Sequence, residues 1–245
     1  MHSPGRKTWR SRLLFAAGVL GAAVPAFAYR PFDSTDADVA AAGETELEVG
    51  ALGMLRQGET KYWTAPALVA NFGVSDEREV VIEGQYQRPR NAPDVSTSVS
   101  NTGLFVKRVL RRGVLQDEAG PSVAAEYGML LPEIHGQNSA GLSGTLIVSQ
   151  RWAHATVHLN AGVELNRDHR AEGFLGAIVE GPTTWTLRPA AEWLFDQASR
   201  GPRINSRLFG MIWRARPDMT VDFGLRSASG AERTRELRAG FTWRY

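Results

Sequence analysis

The sequence predicts an all-β protein, an antiparallel transmembrane β-barrel of about twelve strands, on three observations. Apolar and polar residues alternate with a period of two from Glu44 to the C-terminus. Helical spacing is not sustained over three turns anywhere in that range. The last predicted strand ends in a stripe of aromatic residues. Alternation over eight or more residues is typical of strands with one apolar and one polar face, so we predict a barrel over residues 44–245.

The N-terminus has the features of a cleaved targeting segment. Residues 1–28 contain four Lys and Arg residues and no acidic residue, and the apolar stretch Leu13–Val24 precedes a small-x-small pattern at Ala26 and Ala28. A basic start, a short apolar core and this exit describe a secretory signal peptide. The apolar core is too short to span a bilayer as a helix. We therefore expect residues 1–28 to be removed and residues 29–43 to form a periplasmic tether.

Composition then excludes several classes of protein. The full chain has 28 basic and 26 acidic residues and a pI near 9.1. Without the four basic residues of the signal peptide, 24 basic and 26 acidic residues remain, a net charge of −2. Nucleic acid is therefore not an expected partner. The absence of cysteine excludes disulfides, a thiol nucleophile and a lipoprotein anchor. An exported chain of this kind fits the bacterial cell outer membrane.

Twelve segments carry the alternation. In residues 155–165 the odd positions are apolar, whereas His158, Asn160 and Glu164 occupy even positions. Tight turns alternate with longer loops, and an even number of strands about ten residues long is what a transmembrane barrel requires. The predicted strands cover residues 44–54, 62–74, 78–87, 99–110, 120–131, 141–152, 155–165, 172–180, 184–195, 203–214, 219–227 and 234–245.

Some of these segments fit less well. Pro66 and Pro189 lie inside predicted strands, and since proline cannot donate a ladder hydrogen bond, each requires a bulge or a strand end nearby. Segments 172–180 and 203–214 have weak contrast between their two faces. A count of ten strands also fits if these two are misread.

The C-terminal strand favours a barrel over a soluble sandwich. Phe241, Trp243 and Tyr245 lie on one face and end at the chain terminus. In water this stripe would promote aggregation, whereas in lipid it forms part of an aromatic girdle. It resembles the terminal signature that the barrel-insertion machinery of bacterial outer membranes reads. That machinery and outer-membrane lipid are therefore expected partners.

The polar faces of the strands are expected to line the lumen. They carry charges of both signs rather than the single-sign ring of an ion filter, and this mixture favours ladders of acid–base pairs that brace the wall and narrow the passage. The predicted lumen-lining residues are Glu46, Glu48, Glu79, Glu83, Lys107, Glu126, Arg151, His158, Glu164, Arg188, Glu192, Asp222, Arg226, Glu236, Arg238 and Arg244. We expect a passive channel for a small-molecule solute. A closed barrel with a structural or surface-recognition role remains open, because twelve strands lie between filled and aqueous barrels.

A second class of function is a lipid or ester hydrolase embedded in the barrel. If residues 141–152 and 155–165 form a hairpin, Ser149 lies opposite His158 with Cβ atoms about 5 Å apart. Glu126, like Asn160 or Glu164, could orient the imidazole as in a nucleophile–base set. These side chains would face the lumen rather than lipid, however, and no oxyanion donors are evident. A simple Ser–His hydrogen bond explains the pair equally well.

No cofactor and no metal site are predicted. His154 and His158 would share a face on a helix, but on a strand they lie ~13 Å apart. His135 and His169 fall in loops without partner ligands. Arginines in the longer loops, among them Arg56 and Arg90, are suited to the phosphates of lipopolysaccharide, although ordinary solvation explains them too.

Several segments resemble one family of outer-membrane barrels. These are Gly-Glu-Thr-Glu-Leu-Glu-Val-Gly at 43–50, Asn-Phe-Gly-Val-Ser-Asp-Glu-Arg-Glu at 71–79, Leu-Phe-Val-Lys-Arg at 104–108 and the ending Gly-Phe-Thr-Trp-Arg-Tyr at 240–245. They are similar to the transporter family named for the MetA pathway of phenol degradation. The resemblance spans roughly residues 40–245. It implies a channel-like protein that passes small aromatic or other hydrophobic compounds, and it implies no particular functional residues.

Overall fold

The computed structural model describes residues 30–92, 95–199 and 203–245, and within them one antiparallel sheet forms the fold. The predicted signal peptide lies outside these ranges and stays a prediction. The strands are β1 (Thr45–Gln57), β2 (Thr60–Trp63), β3 (Ala67–Ser75), β4 (Arg78–Pro89), β5 (Ser98–Arg111), β6 (Ser122–Leu130), β7 (Gly141–Arg151), β8 (Thr156–Leu165), β9 (Ala171–Glu180), β10 (Leu187–Ala198), β11 (Arg203–Arg216), β12 (Met219–Ser229) and β13 (Thr234–Arg244). In the described ranges no helix is long and apolar enough to cross a membrane.

The sheet closes on itself into a barrel. From β4 to β13 each strand pairs with its neighbour in sequence, and β13 pairs with β1 to complete the ring. The short β2 and β3 both lie between β1 and β4, so they are two parts of one barrel strand. The thirteen strand segments therefore make twelve barrel strands. The predicted count of twelve is confirmed.

The two awkward prolines lie where the ladder is interrupted. Pro66 lies in the gap between β2 and β3, where its backbone nitrogen does not have to donate a hydrogen bond to a neighbouring strand. Pro189 pairs with Met211 of β11, but the pairing of β10 with β9 starts only at Ala190. Each proline thus has the strand end or edge that its missing N–H requires.

Apolar side chains cover the outside of the barrel. Val163 is 70% exposed and Phe209 is 66% exposed, while Ser149 and His158 on the opposite face of the wall are buried. The alternation thus places large apolar groups outward and polar groups inward, the reverse of a soluble protein. So much outward apolar surface suits lipid and not water. The fold is that of a transmembrane β-barrel.

The two ends of the barrel are distinguished by the chain termini. We call the end where β1 begins and β13 finishes the terminus end, and the opposite end the loop end. Connections at the terminus end include the two-residue turns 76–77 and 217–218, and a longer one with a 3₁₀ turn at Val114–Gln116. The loop end carries connections of up to ten residues, the longest spanning 131–140.

Residues 30–42, here called the inner segment, correct one prediction. They were expected to form a tether outside the barrel, but they lie within it. Ala37 is fully buried and Ala40 nearly so. The prediction was wrong because lack of periodicity was taken for lack of structure, whereas the polar wall supplies the bonds that an irregular backbone needs.

Candidate functional site

The inner segment enters the barrel at the terminus end and rises to about mid-height. Ala40 contacts Glu79, the second residue of β4, whereas Pro31 lies against Gly224, the sixth residue of β12. Contacts to β5, β7, β8 and β10 lie on other sides of the same segment. A segment that meets strands on every side of a closed barrel occupies its lumen.

Paired arginines hold the upper part of the inner segment. The Asp33 carboxylate lies 2.6 Å from Arg226 of β12 and 2.7 Å from Arg238 of β13. Arg238 also donates to the Pro31 carbonyl at 2.9 Å. Below them, Arg30 Nε lies 3.2 Å from the buried Asp222 carboxylate. The segment thus supplies an anion, Asp33, and a cation, Arg30, to the ion pairs that connect it to the last two strands.

Wall side chains also bind the backbone of the inner segment. Glu192 accepts hydrogen bonds from the amides of Asp33 and Ser34, the latter at 2.7 Å. Asn160 accepts from the Thr35 amide at 3.3 Å and donates to the Thr35 carbonyl at 2.8 Å. These side chains replace the ladder partners that an irregular segment lacks. The polar faces of β8 and β10 therefore act as a docking surface for backbone.

Lys107 is the charged centre of the lower part. Its side chain is 6% exposed, and its Nζ lies 3.3 Å from Asp36 and 3.5 Å from Glu79. It also donates to Thr35 Oγ1 at 3.0 Å. Glu79 in turn accepts from the Ala40 amide at 2.6 Å. One buried cation thus joins the segment to a wall carboxylate, and its removal would leave carboxylates without a counter-charge.

Ser149 and His158 are brought together as predicted, and the register that places them opposite each other is confirmed. Ser149 Oγ and His158 Nδ1 are 2.7 Å apart. The other ring nitrogen lies 3.6 Å from a carboxylate oxygen of Glu180, not of the predicted Glu126. Ser149 Oγ accepts a hydrogen bond from the Ala37 amide at 2.9 Å, and Ser149 has no exposed surface. The group therefore binds the inner segment and leaves no room for a substrate.

Two glycines allow the closest approach of the inner segment to the wall. At Gly73 of β3, a Cβ atom would overlap the carbonyl oxygen of Ala41 and lie 2.6 Å from that of Ala40. At Gly176 of β9, it would overlap Ser34 Oγ. A side chain at Gly73 would push the segment away, whereas at Gly176 it would have to displace the Ser34 hydroxyl. The wall is therefore shaped to fit the segment as well as charged to bind it.

Two cavities remain beside the inner segment. One, of about 160 Å³, has a lining that combines Lys107, Glu126 and Glu83 with the apolar Val69 and Phe174. The other, of about 370 Å³, lies nearer mid-height and has Phe32 and Arg238 among its lining residues. Both are small, so the inner segment occludes most of the lumen between the terminus end and mid-height.

The remaining predicted residues are spread along the interior. Arg188 is buried against Glu180 in an ion pair. Arg151 lies at the terminus end and reaches the Val114 carbonyl at 3.5 Å. Glu164 faces inward, half-buried, opposite Glu172.

The predicted C-terminal signature lies on the other surface of the wall. Trp243 and Tyr245 are exposed, and their ring centroids are 4.8 Å apart. Phe241 shares their face. The role of these aromatic residues in insertion stays a prediction.

Several contributors to the site were missed, and four of them illustrate why. Asp33, Arg30 and Gln116 lie outside the predicted strands, and Glu180 ends a segment with weak contrast between its faces. Gln116 donates to the Ala37 carbonyl and to Asp38. Asp33 and Arg30 could have been found from the concentration of charges just before the first strand, because oppositely charged residues of the lumen wall can form ion pairs with them.

Asp38 makes docking of the inner segment depend on pH. Burial, assisted by the neighbouring Asp36 carboxylate, raises the pKa of Asp38 from 3.8 to about 7. Between those two values the docked segment holds a proton that a released, solvated segment does not. The contribution of Asp38 to docking is therefore fully present below about pH 4 and is lost as the pH rises to about 7. In a Ser34→Cys variant, thiosulfonate labelling should be at least about tenfold faster at pH 7.5 than at pH 5, after normalisation to a free thiol.

The Asp38→Asn substitution in the same background is the matched control. It cannot titrate, so its normalised labelling should change little across this range. An equal pH dependence in both proteins would show that another group controls docking.

Comparisons with known proteins agree on the fold. No protein-family model matches the chain, and no curated protein matches it by sequence. The COG4313 outer membrane channel from Pseudomonas putida F1 is similar at a TM-score of 0.59 and 11% identity, over 87% of this chain and all of that one. The NanC porin is similar at 0.59 and 8% identity, and the KdgM porin, solved with disordered oligogalacturonate, at 0.55 and 9%. Both porins match 81% of this chain and 98% of their own. The chain therefore shares the fold of outer-membrane β-barrels.

Proposed function

We propose that the chain is an outer-membrane channel that passes small solutes when the inner segment is displaced from the lumen. The observation that carries this proposal is the polar character of the contacts holding the segment. An intramolecular hydrogen bond contributes only about 0.5–1.5 kcal/mol net, because water offers an alternative partner. A segment held in this way can exchange its wall contacts for water. An apolar seal would have no such route.

The lining of the lumen indicates the class of solute. Arg226 and Arg238 lie on one side, whereas Glu164, Glu172 and Asp196 lie on strands β8 to β10. Opposed charges of this kind orient small polar or charged molecules as they pass. Phe174 of β9, on the wall of the cavity beside the segment, adds apolar contact surface. We therefore propose that the solutes include small aromatic compounds. Membership of the MetA-pathway family, which would imply such solutes, is likewise a proposal.

The proposal places the barrel in the outer membrane with the terminus end at the periplasm. The chain would arrive there through its signal peptide, and the insertion machinery would read the C-terminal aromatic residues. Passive passage requires no cofactor. The buried Ser149–His158 group serves docking in this scheme, so no hydrolase activity is proposed.

A reversible disulfide between the inner segment and the wall tests the proposal. The chain has no cysteine, and an ideal Cβ at Gly176 lies 3.2 Å from Ser34 Cβ, close to the 3.5–4.5 Å span of a disulfide. Ser34→Cys with Gly176→Cys should therefore cross-link the segment to β9. In planar bilayers, the oxidised protein should show only background conductance. Dithiothreitol should raise it at least about tenfold, because the segment can again leave.

The single Ser34→Cys variant controls for the reductant and should not respond to it. Equal conductance before and after reduction, with the cross-link verified by mass spectrometry, would show that passage does not require displacement. An absence of conductance and of liposome swelling for all proteins and solutes would refute the channel itself.

A further inference from the structure

Five basic side chains form one continuous row on the outer wall near the loop end. Arg56 of β1 stands directly opposite Lys61 of β2 on one side and Arg235 of β13 on the other. Arg235 pairs with Ser227 of β12, which pairs with Arg207 of β11. On the far side, the Arg90 amide donates to the Lys61 carbonyl at 2.8 Å and continues the row. The basic row consists of Arg90, Lys61, Arg56, Arg235 and Arg207.

The basic row is exposed and poorly compensated. All five of its side chains are exposed and lie on the outward face. Among the residues that the structure describes, Arg56 alone of the five has a carboxylate partner, the largely exposed Glu59 at 3.2 Å. Like charges directly opposite each other destabilise a sheet, and Arg56 has one on each side. A bound anion would relieve this repulsion.

An apolar row runs directly beneath the basic row. Moving two residues along each strand toward the terminus end leads to Met54, Leu237, Leu225 and Phe209, which are themselves in register across β1, β13, β12 and β11. Both rows line one groove of about 1040 Å³. The wall therefore offers anion-binding groups above and apolar surface below, within a single groove.

The basic row lies where the apolar band of the wall ends. Along β13, eight residues separate Arg235 from Trp243 of the terminus-end aromatic stripe. That is about 26 Å of strand, and less along the membrane normal once the strand tilts, against an apolar band about 25 Å tall. Trp63 lies beneath the Arg90 guanidinium, 5.0 Å away, as expected at an interfacial girdle. The row thus sits at the lipid–water boundary.

We propose that this groove binds lipopolysaccharide of the outer leaflet, with the basic row on its phosphates and the apolar row against its acyl chains. Guanidinium groups bind phosphate oxygens in pairs, and a glycolipid that carries more than one phosphate can span several positions of the row. The side chains of the basic row and the apolar row lie on the outer face of the wall and make no contact with the inner segment in the described residues. Lipid binding at this site can therefore be tested independently of conduction. The proposal also places the loop end of the barrel at the outer leaflet.

Binding of purified bisphosphorylated lipid A to the detergent-solubilised full chain tests the proposal. The triple variant Arg56→Gln, Arg207→Gln and Arg235→Gln should bind at least about 30-fold more weakly than the wild type, because it removes three charge-assisted contacts to the phosphates. Titration by native mass spectrometry gives the Kd values. Lipid A with its phosphates removed should bind the wild type as weakly as intact lipid A binds the variant.

Arg78→Gln with Arg108→Gln is the matched control, because these two arginines are also exposed cross-strand partners but lie at the terminus end. It should leave the Kd unchanged. Three results would overturn the proposal: unchanged affinity in the triple variant, equal loss in the control pair, or equally tight binding of phosphatidylglycerol. Displacement of lipid A by millimolar inorganic phosphate alone would also overturn it, because the apolar row would then contribute nothing.

Discussion

Replacing Lys107 by methionine should release the inner segment from the barrel. The substitution removes the only cation within 4 Å of Asp36 among the described residues and leaves that carboxylate buried without a counter-charge, with only the Asp38 amide donating to it. Breaking a buried pair in this way costs about 3–5 kcal/mol. The docked state should therefore lose about 100-fold or more in population. In the Ser34→Cys background, labelling of Cys at position 34 should accelerate by a comparable factor.

Lys61→Met is the matched control, because Lys61 is exposed on the outer wall and far from the lumen. Its labelling rate should equal that of the parent. If Lys107→Met leaves labelling slow while the barrel remains folded on gels, then the ion pairs at Lys107 do not determine docking. A heat-modifiable band confirms that the barrel itself is intact.

Gly73→Ala should open the passage without changing any charge. The added Cβ collides with backbone carbonyls of the inner segment, and backbone cannot rotate away as a long side chain can. Overpacking of this kind costs about 1–3 kcal/mol. The displaced state should gain about 5- to 150-fold in population, and conductance in planar bilayers should rise accordingly.

Gly144→Ala provides the comparison, since a Cβ at Gly144 of β7 would meet no atom within 4 Å. It carries the same chemical change in a barrel strand and should leave conductance at the wild-type level. An equal rise in both variants would point to a general weakening of the wall. No rise in Gly73→Ala would mean that the segment accommodates the methyl group while still docked.

The barrel was predictable because its physics repeats along the chain. Each strand has an apolar face toward lipid and a polar face toward the lumen, so the period of two is present in every segment. The predicted two-residue turn at residues 153–154 was enough to place Ser149 opposite His158. The interior position of Lys107 and Glu79 follows from the same alternation. Local sequence patterns were therefore sufficient to predict the strands of the wall, the register of this hairpin and many of the inward-facing charges.

The inner segment could not be predicted by the same means. Its partners are scattered over strands from β3 to β13, and its main bonds use backbone amides, which have no sequence signature. Glu192 and Asn160 looked like ordinary lumen residues because nothing in their own strands shows what they bind. Glu180 was missed for a related reason, since the direct cross-strand partner of His158 is Ile178, and Glu180 approaches the imidazole from the next inward position of β9. Long-range pairing of irregular backbone is visible only in three dimensions.

The ion pairs of Arg30 and Asp33 have a consequence for how the barrel is assembled. Arg30 and Asp222 are 192 residues apart in sequence, and bringing such distant parts of a chain together is opposed by loop-closure entropy. The same seam must close when β13 joins β1. Because the residues just before β1 bind β12 and β13 from inside, they act as an internal clamp across that seam. Sealing of the ring and filling of its lumen thus become one cooperative event.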